Sequence, residues 1–170
     1  MKIRAETDAD HAAIRRVNEE AFGGTEEADL VEAIRASDRF VPDLSLVAES
    51  RGQTLGHVML SYVDVEPGGH RVLQVGPVAV VPSHQRQGIG SALMEEAIRL
   101  ADARGEPLLL LEGNPRYYER FGFSRADESG IEPPEGARAP QYFMMRRLAA
   151  YDPGLGGKAS YPAETFGAFL

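Results

Sequence analysis

Val72-Leu73-Gln74-Val75-Gly76-Pro77-Val78-Ala79-Val80-Val81, running on through Pro82-Ser83-His84 into Gln85-Arg86-Gln87-Gly88-Ile89-Gly90-Ser91, is the stretch on which the fold turns. Its first half has the composition of a strand, interrupted by Gly76-Pro77. Proline cannot donate to a ladder and glycine inside a strand marks a bulge, so pairing should break there and the strand should splay. Splaying leaves N–H and C=O groups of Val78 and Val80 unpaired, open to an extended ligand that carries amides of its own. The second half lies at the junction with the most strongly periodic helix of the chain. Glycines there let the backbone curl and approach a ligand, while the first N–H groups and the dipole of the helix attract an anion; a pyrophosphate fits. The spacing lacks the first glycine of the dinucleotide fingerprint and the Lys-Ser/Thr ending of the nucleotide phosphate loop. Taken alone, the short motif reads equally well as a glycine-eased helix start.

Upstream, Met1 to Glu6 reads as a strand. Thr7 with Asp10 caps a helix from about Asp8 to Phe22, whose apolar face is Ala13, Ile14, Val17 and Ala21. Gly23-Gly24 breaks it, and Thr25 caps a second helix with Leu30, Val31 and Ile34 as its buried stripe. Leu44 to Ser50 and Thr54 to Val63 form an antiparallel hairpin across Arg51-Gly52-Gln53. Downstream, a helix from about Gly88 to Arg104 buries Leu93, Met94, Ala97, Ile98 and Ala101 and pairs Glu95 with Arg99 on its outer face. Pro107 to Glu112 is nearly all leucine, the mark of a strand covered on both faces and parallel to a neighbour. A short helix over Pro115 to Phe121 and a last strand over Gln141 to Leu148 follow. Tyr151 to Leu170 is rich in Gly, Pro and Ala but carries Tyr161, Phe166 and Phe169, so a tail packed on the body is expected. The predicted fold is α/β (α+β): a mixed, mostly antiparallel sheet of six to seven strands, splayed between the fourth and fifth and flanked by about four helices. Residues 1–150 form the domain and 151–170 its tail.

The 170 residues suit one domain, and 43% hydrophobic with 26% charged residues is the composition of an ordinary globular protein. No apolar run reaches the roughly 20 residues that span a bilayer, and Met1-Lys2-Ile3-Arg4 lacks the apolar core of a secretion signal, so no membrane partner and a cytoplasmic location are expected. The chain has 0 cysteines, which excludes disulfides, thiolate metal sites and a relay through a catalytic thiol. A formal net charge of -8 argues against electrostatic capture of nucleic acid. His57, His70 and His84 are too scattered for a metal site, and none is expected.

These residues carry a resemblance to the GNAT superfamily of N-acetyltransferases. The family's cofactor signature, Gln or Arg, two residues, Gly, one residue, Gly or Ala, appears as Gln85, Gly88 and Gly90, after a strand and before a long amphipathic helix. A second match is Asn114-Pro115-Arg116-Tyr117-Tyr118-Glu119-Arg120-Phe121-Gly122-Phe123, similar to the family's Asn…Tyr…Gly-Phe segment after the fifth strand and most similar to the bacterial YhbS-like branch. The order of elements agrees from Met1 to about Leu148.

The resemblance implies acetyl-CoA as co-substrate, a primary amine on a small molecule or peptide as acceptor, and a donor site built by Val78, Ala79, Val80, Gln85, Arg86, Gln87, Gly88, Ile89, Gly90, Ser91, Asn114 and Tyr117. Val78 and Val80 would pair with the pantetheine arm, amides from Arg86 to Ser91 would hold the pyrophosphate, and Asn114 would lie near the thioester. Gln85 reads as shaping the loop or touching phosphate, and Tyr117 equally as packing. Tyr118 occupies the position of the family's general acid. The splayed strand here, Leu73-Gln74-Val75, lacks the Glu that many members use as base, so Glu112, directly or through water, is the candidate base. With no thiol for a relay, direct attack in a ternary complex is expected, with a Val78 N–H polarising the carbonyl. The alternative is an acyl-CoA-binding sensor of the same fold that has lost efficient catalysis. A homodimer is left open.

Overall fold

The structure is a computed structural model and describes residues 1–166. The chain divides into two compact units, one from Met1–Ser61 and Val75–Leu100, the other from Tyr62–Gln74 and residues 101–166.

The first unit opens with β1 (Lys2–Ala5), a single 3-10 turn over Asp8–Asp10, α1 (His11–Phe22) and α2 (Glu26–Arg35). The expected helix from Asp8 thus begins as a tighter turn. The Thr7 N–H donates to Asp10 Oδ2 at 2.7 Å, and Arg4 Nη1 holds the same carboxylate oxygen at 2.7 Å. Thr25 makes no side-chain capping bond, contrary to expectation; three carboxylates, Glu26, Glu27 and Asp29, occupy that first turn, where the helix dipole favours them. Ile14 and Val17 of α1 and Ala28, Val31 and Ile34 of α2 are buried.

Next comes β2 (Phe40–Ser50), antiparallel to β1 through Lys2↔Glu49 to Ala5↔Leu46 and antiparallel to β3 (Gln53–Glu66). The hairpin turns on Arg51 at φ 50° and Gly52 at φ 75°, the left-handed pair that suits the twist of a tight hairpin. Both strands are longer than the sequence suggested.

β4 (His70–Val80) is followed by a 3-10 turn at Pro82–His84 and then α3 (Ile89–Ala103), with Ile89, Leu93, Met94 and Ala97 buried. Arg99 pairs with Glu96, three residues back, at 2.6 Å, and not with Glu95. Gly56 of β3 brings α3 in closely: a Cβ there would stand 2.9 Å from Leu93 Cδ1 and 3.0 Å from Ile89 Cγ2.

Beneath α1 lies a buried polar cluster. Glu6 accepts from Arg35 Nε at 2.7 Å and from Ser45 Oγ at 2.6 Å; His57, fully buried, has Nε2 3.0 Å from Ser45 Oγ and Nδ1 3.2 Å from Asn18 Nδ2. Asn18 Nδ2 donates, so Nδ1 is the acceptor and the neutral ring carries its proton on Nε2. The histidine expected to be solvated or packing is a hydrogen-bonded core residue.

The second unit holds β5 (Leu108–Glu112), α4 (Pro115–Tyr118), β6 (Ser124–Arg125), β7 (Ile131–Glu132), β8 (Phe143–Arg147), β9 (Gly157–Ser160) and α5 (Ala163–Phe166), with 3-10 turns at Glu119–Phe121, Asp127–Ser129 and Pro140–Tyr142. Leu108 to Leu111 are at most 1% exposed, as expected of a strand covered on both faces. β5 runs parallel to β4 and antiparallel to β8. The sheet order is β1-β2-β3-β4-β5-β8-β6, with β9 bridging β3 and β7. The fold is therefore the expected open, mostly antiparallel sheet, with parallel pairing of β4 with β5 and of the short β7 with β9.

Among the described residues nine strands stand where six or seven were expected. β6 and β7 are two residues long, too short for an alternating pattern, and β9 pairs Lys158 to Ser160 with Glu66 to Asp64 from a tail sequence with little strand propensity. Only glycine fits at Gly157: its φ is 135°, and a Cβ would sit 2.0 Å from the Glu66 carbonyl oxygen. Phe169 lies outside the described residues.

Candidate functional site

The parallel ladder between β4 and β5 comprises, among the described residues, Leu73↔Leu109 and Gln74↔Leu110. β4 continues for six more residues, through Gly76-Pro77 to Val80, and β5 runs on to Glu112. Along the first unit's part of β4, Gly76, Val78 and Val80 are half-buried, alternating with buried Pro77, Ala79 and Val81. One row of side chains thus faces the interior and the other is partly open.

Gln85 reaches back from the loop, its Nε2 donating to the Val80 carbonyl at 2.9 Å. The expectation that this carbonyl is unpaired is corrected, and Gln85 fixes the loop to the strand end. Arg86 and Gly88 take left-handed backbone at φ 60° and φ 87°. Such turns orient successive N–H groups toward one side, the arrangement that makes an anion-binding concavity. The Ala92 N–H to Gly88 carbonyl bond, 3.0 Å, opens α3, so the amides of Ile89, Gly90 and Ser91 precede the first helical hydrogen bond. Arg86, Gln87 and Gly88 are exposed, Gly90 and Ser91 half-buried. Ile89 and Ala79 are buried, so each offers a ligand only its backbone. A cleft of about 480 Å³ lined by Ser50, Arg51, Gln53, His84, Gln87 and Ile89 flanks the loop. Its hairpin residues carried no signal in the sequence.

In the second unit, Asn114 caps α4, its Oδ1 accepting from the Arg116 N–H at 3.0 Å, while its amide nitrogen keeps two N–H donors. Tyr117 meets Tyr118 edge-on at 4.9 Å and lies under the Arg120 guanidinium at 4.7 Å. It packs within the aromatic cluster. Tyr118 also touches Phe123 at 6.1 Å and lies against Gly113, where a Cβ would be 2.5 Å from the ring. Burial, with a smaller contribution from Tyr117, pushes the Tyr118 phenol up to about 12, so it stays protonated through neutral pH. Glu112 Oε1 accepts from the Arg138 N–H at 2.9 Å.

The sequence reading missed Gly56, Gly113, Gln74 and Tyr161. A lone glycine within a strand pattern hints at close approach, and Gly56 fits that hint. Gln74 and Tyr161 depend on a contact distant in sequence, and Gly113 on how the Tyr118 ring folds back five residues later. Among the described residues no group of three His, Asp or Glu could hold a metal ion, and no helix is long and apolar enough to cross a membrane.

An open mixed sheet with β4 parallel to β5, and a glycine-opened helix after β4, define an N-acetyltransferase-like fold. The sequence matches the acetyltransferase (GNAT) domain family over residues 2–126, and the chain belongs to that family. It is 31% identical over 166 residues to the Escherichia coli (strain K12) protein named "Uncharacterized N-acetyltransferase YjhQ", covering 92% of this chain and 91% of that protein. It is 33% identical to YhbS of the same organism over 127 residues, 74% of this chain and 75% of that protein. Among solved structures, Escherichia coli YhbS in complex with CoA superposes with a TM-score of 0.89 at 28% identity, covering 99% and 93% of the two chains. A GNAT family acetyltransferase from Brucella melitensis in complex with acetyl-CoA gives 0.78 at 32% identity, covering 96% of each.

Proposed function

We propose that this protein transfers an acetyl group from acetyl-CoA to a primary amine by direct attack in a ternary complex. The observation that carries the reading is the end of β4 and the start of α3: left-handed Arg86 and Gly88 opening a helix whose first amides, Ile89 to Ser91, are left for an anion. That two structural relatives hold CoA and acetyl-CoA supports the same ligand here. The co-substrate supplies an activated acetyl thioester.

The chain's own residues divide the remaining work. Amides from Arg86 to Ser91 hold the diphosphate, and Gln85 keeps the loop in the shape that presents them. The backbones of Val78, Ala79 and Val80 align the pantetheine amides, with the Val78 N–H as donor to the thioester carbonyl. Asn114 offers its two free N–H donors to the same arm. Glu112 takes a proton from the incoming ammonium, directly or through water, because only the neutral amine has a lone pair to attack with. Tyr118 delivers a proton to the departing sulfur. A thiol's ordinary value is about 8.5, so a phenol raised to about 12 is a weaker donor than an unperturbed one, and delivery must accompany departure of the sulfur.

The test is thiol release from acetyl-CoA across a panel of primary amines. The reading predicts release with at least one amine and a loss of kcat of about 100-fold or more in Tyr118→Phe, the usual scale for one acid–base group. A rise in melting temperature with acetyl-CoA but no release with any amine would favour the sensor.

A further inference from the structure

Gln74 is the last residue of β4 paired with β5, opposite Leu110. Partners in a ladder project to the same face, as do residues two apart on one strand, so Gln74, Leu110 and Glu112 share a face. Gln74 is only 6% exposed, and its amide is half used: Nε2 donates to Tyr161 Oη at 2.7 Å, while Oε1 is buried with no hydrogen-bond partner among the described residues. Native proteins rarely leave such an atom orphaned, and a hydrogen-bond donor on a ligand would satisfy this one.

Tyr161 comes from the tail, immediately after β9, and is steadied by stacking on Phe166 at 4.7 Å. Burial raises its pKa, and the Glu112 charge raises it further, which makes the phenol and the carboxylate electrostatic neighbours. Glu112 has one oxygen on the Arg138 N–H and a second oxygen beside it. The three residues thus present acceptor atoms: an amide oxygen, a phenol oxygen and a carboxylate oxygen. Three acceptors beside one negative charge match the three N–H donors and single positive charge of a primary ammonium.

We propose that Gln74, Tyr161 and Glu112 together seat the amino group of the acceptor, so that the C-terminal tail is part of the acceptor site; this rests on the acetyl-transfer reading above. Gln74 and Tyr161 orient the nitrogen, and one N–H proton passes to the Glu112 carboxylate, leaving the nitrogen lone pair free. The β4 position that lacks a carboxylate serves as an amide anchor, with the charge supplied from β5.

The test uses the full chain saturated with CoA and n-butylammonium as the probe. The side-chain amide of Gln74, identified in nitrogen-15 spectra by its loss in Gln74→Met, should shift saturably as n-butylammonium is added. Tyr161→Phe should weaken that binding by about fivefold or more, the scale of one lost hydrogen bond to a charged group. The CoA-induced rise in melting temperature should be unchanged in both variants, which shows the fold and donor site intact. An unmoved Gln74 amide, or equal n-butylammonium affinity in Tyr161→Phe, overturns the seat. Absence of any CoA effect on the wild-type melting temperature instead overturns the acetyl-transfer reading itself, a separate result.

Discussion

Gly113 lacks a side chain where the Tyr118 ring stands, since a Cβ there would be 2.5 Å from Cε2 and 2.9 Å from Cδ2. Gly113→Ala must therefore push the ring away or strain the strand end. Overpacking of this kind costs about 1–3 kcal/mol, a fall in melting temperature of about 2–12 °C for a chain of this size. Thermal denaturation checks it, and any thiol-release rate should fall with Tyr118 displaced. Residues in the first unit make a second prediction, about pH. Burial, reinforced by the Arg35 charge and opposed by Glu6, holds His57 below its ordinary value, so it is neutral when folded. Unfolded His57 binds a proton below about 6.5 that the folded form refuses, so this stability is complete above that pH and is lost as pH falls. Burial would raise Glu6, but His57 3.7 Å away and hydrogen bonds from Arg35 and Ser45 outweigh it and hold the carboxyl at about 2; its contribution is complete above about 4.5 and is lost as pH falls toward 2. His11 Nε2 also lies 3.6 Å from Glu6. Urea midpoints should decline from pH 7 to 5 and more steeply below 4.5, and His57→Gln should flatten the first decline. Tyr118 and Glu112 were legible in the sequence as chemical types at suggestive positions. The clearance at Gly113 and the burial of His57 were not, because each is set by neighbours that composition does not name.

Between β4 and α3 the sequence was most informative, since the relevant physics is local. A proline in a strand, a left-handed loop and a glycine-opened helix are each dictated by a few consecutive residues. The helix register was legible too, with Leu93, Met94 and Ala97 buried as their spacing requires. Its outer face was not: Arg99 has both Glu95 and Glu96 within a turn, and the rotamer chooses Glu96. Gly56 shows where element packing escapes local reading, for what lies opposite it comes from α3, some thirty residues on. Gly56→Ala should crowd Ile89 and Leu93 and meet the Ala79 carbonyl oxygen at 3.2 Å, costing about 1–3 kcal/mol. The variant's denaturation midpoint tests this, and a midpoint equal to wild type would show that α3 has room to yield. Because Ile89 carries one of the amides assigned to the diphosphate, the same variant should also weaken CoA binding.

Across the described residues the order of elements follows the sequence reading from β1 to α4, and β8 stands where the last strand was read, with the short β6 and β7 unread between them. The tail is where reading by pattern stopped. Gly157 to Ser160 become a strand only because β3 and β7 offer edges, and Tyr161 gains a role only because Gln74 stands beside it. Such long-range pairings are written in no single segment. The account's central claim is nonetheless local: the end of β4 and the start of α3 bind CoA through backbone amides. Calorimetric titration of CoA measures this most directly. The account predicts saturable one-to-one binding, weakened about tenfold or more by Gly88→Val, where a branched side chain meets φ 87°, and nearly unchanged by Tyr118→Phe. No saturable heat with the wild-type chain, or full affinity in Gly88→Val, would contradict it.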